Sequence, residues 1–252
     1  MIAYLDTQYR ESHFARDSIG HPSSQGKDLA LYLTDIIKLL PLLSFIRSKS
    51  YSQFWEDRLI DRVVINKIGS YVDVGAGSPV WASNTYLFYK RGWQGVTVEP
   101  ILFNYIMQKL IRRRDLQIRA LVTDTQTQMD FYQLWPWELS TTIQETAKSR
   151  ISEGATLIRK EKIDCISLSE IYGANPISRP AILSIDVEGA ELEVLQSNNW
   201  KQFIPDLICI EELTSPIQSS TIREFLEGQG YRLQAHNGVS SIYVWLDSTC
   251  LK

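Results

Sequence analysis

Between Ile68 and Pro79 a short run of apolar and β-branched residues breaks into a glycine-rich turn. Ile68 to Val74 has the length and composition of a strand buried on both faces of a parallel sheet. The turn Asp73-Val74-Gly75-Ala76-Gly77 lets backbone approach a ligand closely, because two of its residues lack a Cβ. A helix is expected from about Ser83, with Asn84 and Thr85 near its first turn. Its free N–H groups then point back at whatever the turn holds. Strand, glycine turn and helix in this order predict an α/β fold with a nucleotide-type site.

The details choose among nucleotides. A dinucleotide fingerprint needs a third glycine, and that position is Val80. Asp73, two residues ahead of the first glycine, is instead where an S-adenosylmethionine site places an acid, near the amino group of the methionine moiety. Glu99 ends the next strand, Gly95 to Pro100, 22 residues after Gly77. An acid at that distance can accept hydrogen bonds from both ribose hydroxyls. The plainer alternative for the pair is a structural turn and a solvated strand-end acid.

At 252 residues the chain suits one α/β domain with an appendage. With 44% hydrophobic and 22% charged residues it reads as an ordinary globular protein, and a net charge of -3 offers no global attraction to nucleic acid. The basic run Arg112-Arg113-Arg114 reads as the solvated face of a helix. Cys165, Cys209 and Cys250 are odd in number and lack C-x-x-C spacing, so free thiols in a reducing, cytoplasmic setting are expected. The polar N-terminus shows no secretory signal. Residues 1–50 are expected to form a helical extension. His13 and His21 there read as surface residues. Leu29 to Ile46 is the most apolar stretch, but Asp35, Lys38 and Pro41 interrupt it, so it is a poor transmembrane span. It is expected to pack on the main domain or on a twin subunit in a homodimer, with peripheral membrane contact as the alternative.

Further along, Tyr51 to Asp57 leads into a helix ending near Asn66, with Ser52 as a cap. Helices over 84–91 and 101–113 alternate with strands at 95–99 and 116–122, the rhythm of a doubly wound parallel sheet. Met129 to Leu134 reads as an extra strand. A loop-like segment with Trp135, Trp137, Ser140 and Thr141 follows, polar to about Lys160. Its indoles and hydroxyls suit an acceptor sugar, or the two Trp residues cover the core. Strands at 181–187 and 206–211, a helix over 221–228 and a hairpin turning at Asn237-Gly238 complete the domain.

Seven acids fall at or just past the ends of five predicted strands: Asp73, Glu99, Asp124, Asp186, Glu188, Glu211 and Glu212. In an open parallel sheet ligands bind beyond those ends. Asp186, Glu211 and Glu212 could offer three hard oxygen ligands to Mg2+, which lowers the pKa of a bound hydroxyl. In the metal-free alternative Asp186 or Glu188 acts alone as base. His236, in the closing hairpin, is the weaker candidate.

The sequence resembles the FkbM family of S-adenosylmethionine-dependent methyltransferases over about residues 51–213. The resemblance is carried by Tyr51-Ser-Gln-Phe-Trp-Glu-Asp57, Tyr71 to Pro79, Ser83-Asn-Thr-Tyr86, Arg91 to Pro100 and Leu183-Ser-Ile-Asp-Val-Glu-Gly-Ala-Glu-Leu-Glu-Val-Leu195. The family often has Asn-His at Gly77-Ser78 and commonly Gly at Trp55. The resemblance implies a mostly parallel, seven-stranded class I methyltransferase domain over 51–252. It implies a cofactor site of Gln53, Asp73, Gly75, Ala76, Gly77, Asn84, Thr85, Glu99, Pro100, Thr123, Asp124 and Asp186, with Asp186 and Glu188 as catalytic acids. The implied reaction is methyl transfer to a hydroxyl, often on a sugar of a glycan or on a secondary metabolite. The competing readings are a nicotinamide-dependent oxidoreductase and a non-catalytic binding module.

Overall fold

The computed structural model describes residues 50–65, 68–175, 178–213, 217 and 220–251. The chain divides between Ser48 and Lys49, and the described residues all belong to the second unit. The expected N-terminal helix, His13, His21 and the dimer or membrane role of 29–46 lie outside the described residues.

Helix α1 (Glu56–Val63) leads into β1 (Ser70–Val74), α2 (Tyr86–Lys90), β2 (Gln94–Val98), α3 (Leu102–Ile111) and β3 (Leu116–Ile118). Strands β4 (Leu121–Val122) and β5 (Gln128–Trp135), helix α4 (Gln144–Ser152) and strand β6 (Thr156–Ile166) follow. Helix α5 (Leu168–Ala174), β7 (Ala181–Ile185), α6 (Glu191–Gln196), β8 (Leu207–Glu211), α7 (Thr221–Gly228), β9 (Tyr231–His236) and β10 (Ser240–Trp245) complete the order. The main sheet has seven strands in the order β3-β2-β1-β7-β8-β10-β9. Its first five are parallel and β10 runs antiparallel to both neighbours. Chain order reverses between β1 and β7, so their carboxyl ends form the switch point at which such sheets bind ligands.

Alternate residues of the central strands feed two cores. Val72, Val74, Leu183, Ile185, Ile208 and Ile210 pack with Leu168, Ile171, Val194, Leu195 and Leu226. Tyr71, Ile182, Leu207 and Cys209 pack with Ile60, Val63, Leu87 and Phe88. A fully buried aliphatic side chain of this kind contributes roughly 1.5–3 kcal/mol. The same alternation puts Asp73, Ser184, Asp186 and Glu211 on the face of the second core, and Glu212 on the other.

Several expectations are corrected. The strand expected over 116–122 is two short strands, β3 in the main sheet and β4 beside β6 in a separate three-stranded sheet. The loop-like insertion is ordered: β5 and β6 pair antiparallel from Gln128↔Asp164 to Trp135↔Thr156, with α4 between them. Helix α2 begins at Tyr86, which leaves Ser83, Asn84 and Thr85 in the preceding turn. Helix α1 ends at Val63, and its N-cap is Trp55. Ser52 still serves this end of the helix, since its Oγ accepts the Asp57 N–H at 3.1 Å. Helix α5 is fixed by a capping box between Ser167 and Glu170. Among the described residues no helix is long and apolar enough to cross a membrane.

Candidate active site

The glycine turn is held from three sides. Gly75 N–H and Ala76 N–H donate to the Val98 carbonyl at 3.0 and 3.1 Å. Glu99 accepts from Gly77 N–H and Ile101 N–H, each at 2.8 Å. Gln108 of α3, fully buried, donates to the carbonyls of Ala76 and Gly77 at 3.3 and 3.0 Å. Burial pushes the Glu99 carboxyl up to about 7, against those two backbone donors. Pro100 lends its carbonyl to Arg119 Nε at 3.0 Å.

Asp73, 4% exposed, accepts a short hydrogen bond on Oδ2 from Thr85 Oγ1. Thr85 is fully buried, with no surface of its own open to a ligand. Asn84 Nδ2 donates to Ser184 Oγ at 3.4 Å and thereby links the turn before α2 to β7.

Across the switch point stand Asp186, Glu188 and Glu211, whose carboxylate oxygens lie within 4.8 Å of one another. All three are pushed up to about 7. Desolvation by surrounding protein is the first cause in each and mutual repulsion the second. Asp186 and Glu188 are nonetheless exposed, and only Glu211 is half-buried. Glu191 Oε1 fixes the loop that carries Asp186 and Glu188, accepting from Val187 N–H at 3.3 Å and Gly189 N–H at 3.0 Å. Arg150 of α4 draws the Glu188 pKa down in part. The same guanidinium donates to the carbonyls of Leu139 and Ser140 at 2.9 and 3.4 Å. Helix α4 is thus tied to the Trp137–Ser140 turn.

Glu212 does not join this group. It is buried on the opposite face, where Ser220 Oγ donates to Oε1 and Tyr243 OH donates to Oε2 at 2.8 Å. The trio expected at Asp186, Glu211 and Glu212 is corrected to Asp186, Glu188 and Glu211.

A narrow cleft beside these acids is lined by Gln53, Phe54, Glu56, Ala82, Asn84, Asp186, Glu211, Val239 and Ser240. Among the described residues three non-glycines have positive φ: Trp55 at 71°, Ala82 at 52° and Glu188 at 59°. Ala82 lines the cleft, Trp55 sits between two residues that line it, and Glu188 belongs to the acid trio. Left-handed backbone is unfavourable for such residues and concentrates where function requires it. A roomier groove lined by Asp61, Val64, Ile65, Ile68, Phe88, Arg91 and Trp93 holds none of the strand-end acids, and its residues Ile68 and Trp93 precede β1 and β2.

The remaining expected residues fall elsewhere. Thr123 is buried with Oγ1 3.0 Å from Thr125 Oγ1, and Asp124 is exposed after β4. Trp135 and Trp137 meet edge to face at 5.0 Å, and Trp137 packs on a small core of Ile101, Phe131 and Ile163. Ser140 Oγ accepts Leu134 N–H at 3.1 Å and Thr141 Oγ1 accepts Ile143 N–H at 3.2 Å, so both hydroxyls shape the turn. His236, exposed on β9, pairs Nδ1 with Ser241 Oγ at 3.0 Å.

The model of the Methyltransferase FkbM domain matches residues 73–233, well over half of the chain. The protein belongs to the FkbM methyltransferase family. No curated protein is close enough in sequence to match. The FkbM chain has partial likeness to the solved precorrin-6y C5,15-methyltransferase of Geobacter metallireducens. Identity there is 13% over 79% of this chain and 92% of that one, at a TM-score of 0.43. It has similar likeness to a TehB-like SAM-dependent methyltransferase of Corynebacterium glutamicum. That match is 10% identical over 86% and 99% of the chains, at a TM-score of 0.43.

Sequence reasoning missed several residues of the candidate site in this FkbM-family chain. Arg112, expected on a solvated face, is fully buried behind Asp73. Gln108 sits one turn earlier on α3, and the four-residue spacing to Arg112 was the available signal. Glu191 was legible as an acid in the first turn of α6 but carries no charge pattern that sets it apart from Glu193.

Proposed function

We propose that this FkbM-family methyltransferase transfers a methyl group to a hydroxyl oxygen, on a sugar of a glycan, glycolipid or glycosylated secondary metabolite. The observation that supports this most is the meeting of Asp186, Glu188 and Glu211 at the switch point, next to the Asp73 turn. When bound, S-adenosylmethionine supplies a methyl carbon already activated on sulfur. The residues of the chain therefore have to align the acceptor and take a proton. Transfer would join that carbon to the acceptor oxygen and leave the electron pair of the carbon–sulfur bond on sulfur. The hydroxyl proton passes to a carboxylate, for which Asp186 is the first choice, leaving a methyl ether, a thioether and a neutral carboxyl group. A carboxyl group titrating near neutrality is a better base for this step than an ordinary aspartate.

A second reading rests on the same trio. Three carboxylates with oxygens within 4.8 Å form a hard, all-oxygen donor set of the kind Mg2+ takes. Asp186, Glu188 and Glu211 would hold the ion, whose chemistry is to lower the pKa of a bound hydroxyl. The three unpaired cysteines fit a reducing, cytoplasmic setting.

Calorimetric titration with S-adenosylmethionine, with and without Mg2+, tests the cofactor first. Binding in the wild type and its loss in Asp73→Ala or Glu99→Ala supports the reading, whereas no binding in either buffer overturns it. A panel of glycosides then tests the acceptor. Asp186→Asn should lose turnover while retaining cofactor, and unchanged turnover removes Asp186 from the mechanism.

A further inference from the structure

Behind Asp73 lies a polar cluster built around Arg112, the one buried arginine among the described residues. Arg112, the residue that caps α3, has no exposed surface at all. Its Nη2 donates to Thr85 Oγ1 at 2.8 Å, and Thr85 Oγ1 donates in turn to Asp73 Oδ2. Nη1 of the same guanidinium lies 3.7 Å from Asp73 Oδ2. On its other side Nε donates to Asp115 Oδ2 at 2.8 Å. Asp115 is itself fixed by Tyr71 OH, at 2.8 and 2.7 Å, and by Gly95 N–H at 3.0 Å. The rings of Tyr71 and Tyr89 flank the guanidinium at 5.1 and 5.5 Å.

Two features of this arrangement exceed what a structural ion pair requires. First, both contacts to Asp73 fall on Oδ2, and among the described residues Oδ1 accepts no hydrogen bond. The carboxyl group is thus anchored by one oxygen and presents the other. Second, one guanidinium serves two carboxyl groups, so with both ionised the buried cluster is one positive charge short. A cationic group placed on Asp73 Oδ1 supplies that charge in a low-dielectric setting, where an ion pair is stronger than in water. The ammonium group of a methionine moiety is such a cation.

We propose that Arg112 is a positioning residue that acts through Thr85 on Asp73, fixing Oδ2 so that Oδ1 receives the ammonium group of the cofactor. The inference rests on the S-adenosylmethionine reading above. Arg112 touches no ligand itself. Its guanidinium orients the hydroxyl of Thr85, and that hydroxyl sets the rotation of the Asp73 carboxyl group. Gln108, one turn earlier on α3, holds the carbonyls of Ala76 and Gly77. One helix therefore fixes both the glycine turn and the acid ahead of it.

The test compares two probes on the full chain: S-adenosylhomocysteine and its deamino analogue, which keeps the adenosine and carboxylate but lacks the ammonium group. Affinities are measured by calorimetry, the analogue by displacement. Thr85→Val keeps shape and removes only the relay, and Arg112→Lys keeps charge and removes the fork. Both variants are expected to bind S-adenosylhomocysteine at least tenfold more weakly, with the analogue changed less than twofold, and Thr85→Ser should restore wild-type affinity. Equal losses for both probes, or no loss for either, overturn the positioning role. A wild-type chain that binds neither probe overturns the cofactor reading, and this inference falls with it. A wild-type chain that binds both, with variants that fail to discriminate, overturns the inference alone.

Discussion

Gly75 and Asp186 touch across the switch point of the sheet: a Cβ built on Gly75 would lie 1.8 Å from the Asp186 carbonyl oxygen. Gly75 also has φ +74°, and Asp186 N–H donates to the Val74 carbonyl at 3.0 Å. The turn proposed to shape the cofactor site and the loop that carries the proposed base are therefore one packed unit. Gly75→Ala combines a left-handed penalty of about 1–2 kcal/mol with a backbone clash. It is expected to lower the melting temperature and abolish S-adenosylhomocysteine binding together. Retention of binding at wild-type affinity would show that the two loops are not coupled.

The four acids Glu99, Asp186, Glu188 and Glu211 are all raised to about 7. Their unfolded values lie near 4, so between about pH 4 and pH 7 the folded chain binds more protons than the unfolded one. The stability this contributes is present below about pH 4 and is lost as pH rises through 7. The ligand-free protein should melt at a lower temperature at pH 8 than at pH 6. Asp186→Asn should flatten that slope, and an unchanged slope would contradict the assignment.

Activity should run the other way. If Asp186 accepts the proton with a pKa of about 7, its ionised fraction rises about tenfold between pH 6 and pH 8, and kcat/KM should follow. Asp186→Asn, besides losing most activity, should leave a residual rate without that rise. A flat profile in the wild type would assign the proton to another group or to solvent.

Glu188 and Glu212 separate the metal reading from a structural one. Glu188→Gln should remove any response of turnover to Mg2+ after EDTA treatment. Glu212→Gln disturbs the hydrogen bonds from Ser220 and Tyr243. It should reduce stability by about 1 kcal/mol per weakened bond while leaving the Mg2+ response intact. Full activity of the EDTA-treated wild type, unchanged by added Mg2+, would end the metal reading.

Trp55 is 54% exposed, yet it occupies a left-handed position, φ 71°, beside the cleft. Relieving that conformation is worth about 1–2 kcal/mol, against an entropy cost for glycine of about 0.5–1 kcal/mol. Trp55→Gly should therefore gain up to about 1.5 kcal/mol in denaturant unfolding. If the indole contacts the acceptor, the same variant raises the acceptor KM and spares S-adenosylhomocysteine affinity. A destabilised variant would place Trp55 in the packing of α1 instead.

Much of the candidate site was legible because it depends on local grammar. A strand that ends in Asp-x-Gly-x-Gly, and acids at successive strand ends, are written in consecutive residues. Both Glu211 and Glu212 were expected at the site, although they differ in parity: Glu211 alternates with Leu207 and Cys209, which pack with Tyr71, and Glu212 with Ile208 and Ile210. The Ser167–Glu170 capping box is equally local, yet α5 was not among the expected helices.

Other features could not be read so. β6 is charged and largely exposed along its length, so no apolar period marked it. Its pairing with β5 gives the strand its place. Among Arg112, Arg113 and Arg114 the sequence offers three equivalent cations. Only the folded chain brings Asp73, Thr85 and Asp115 from three separate segments around one of them.

The sequence alone determined the doubly wound sheet, the glycine turn and the ends at which acids gather, because hydrophobic period and turn chemistry act between near neighbours. Tertiary structure decided which arginine is buried, which glutamate joins Asp186 and Glu211, and where the insertion lies. Those outcomes depend on desolvation and on charges from distant segments, which are defined only once the strands have paired.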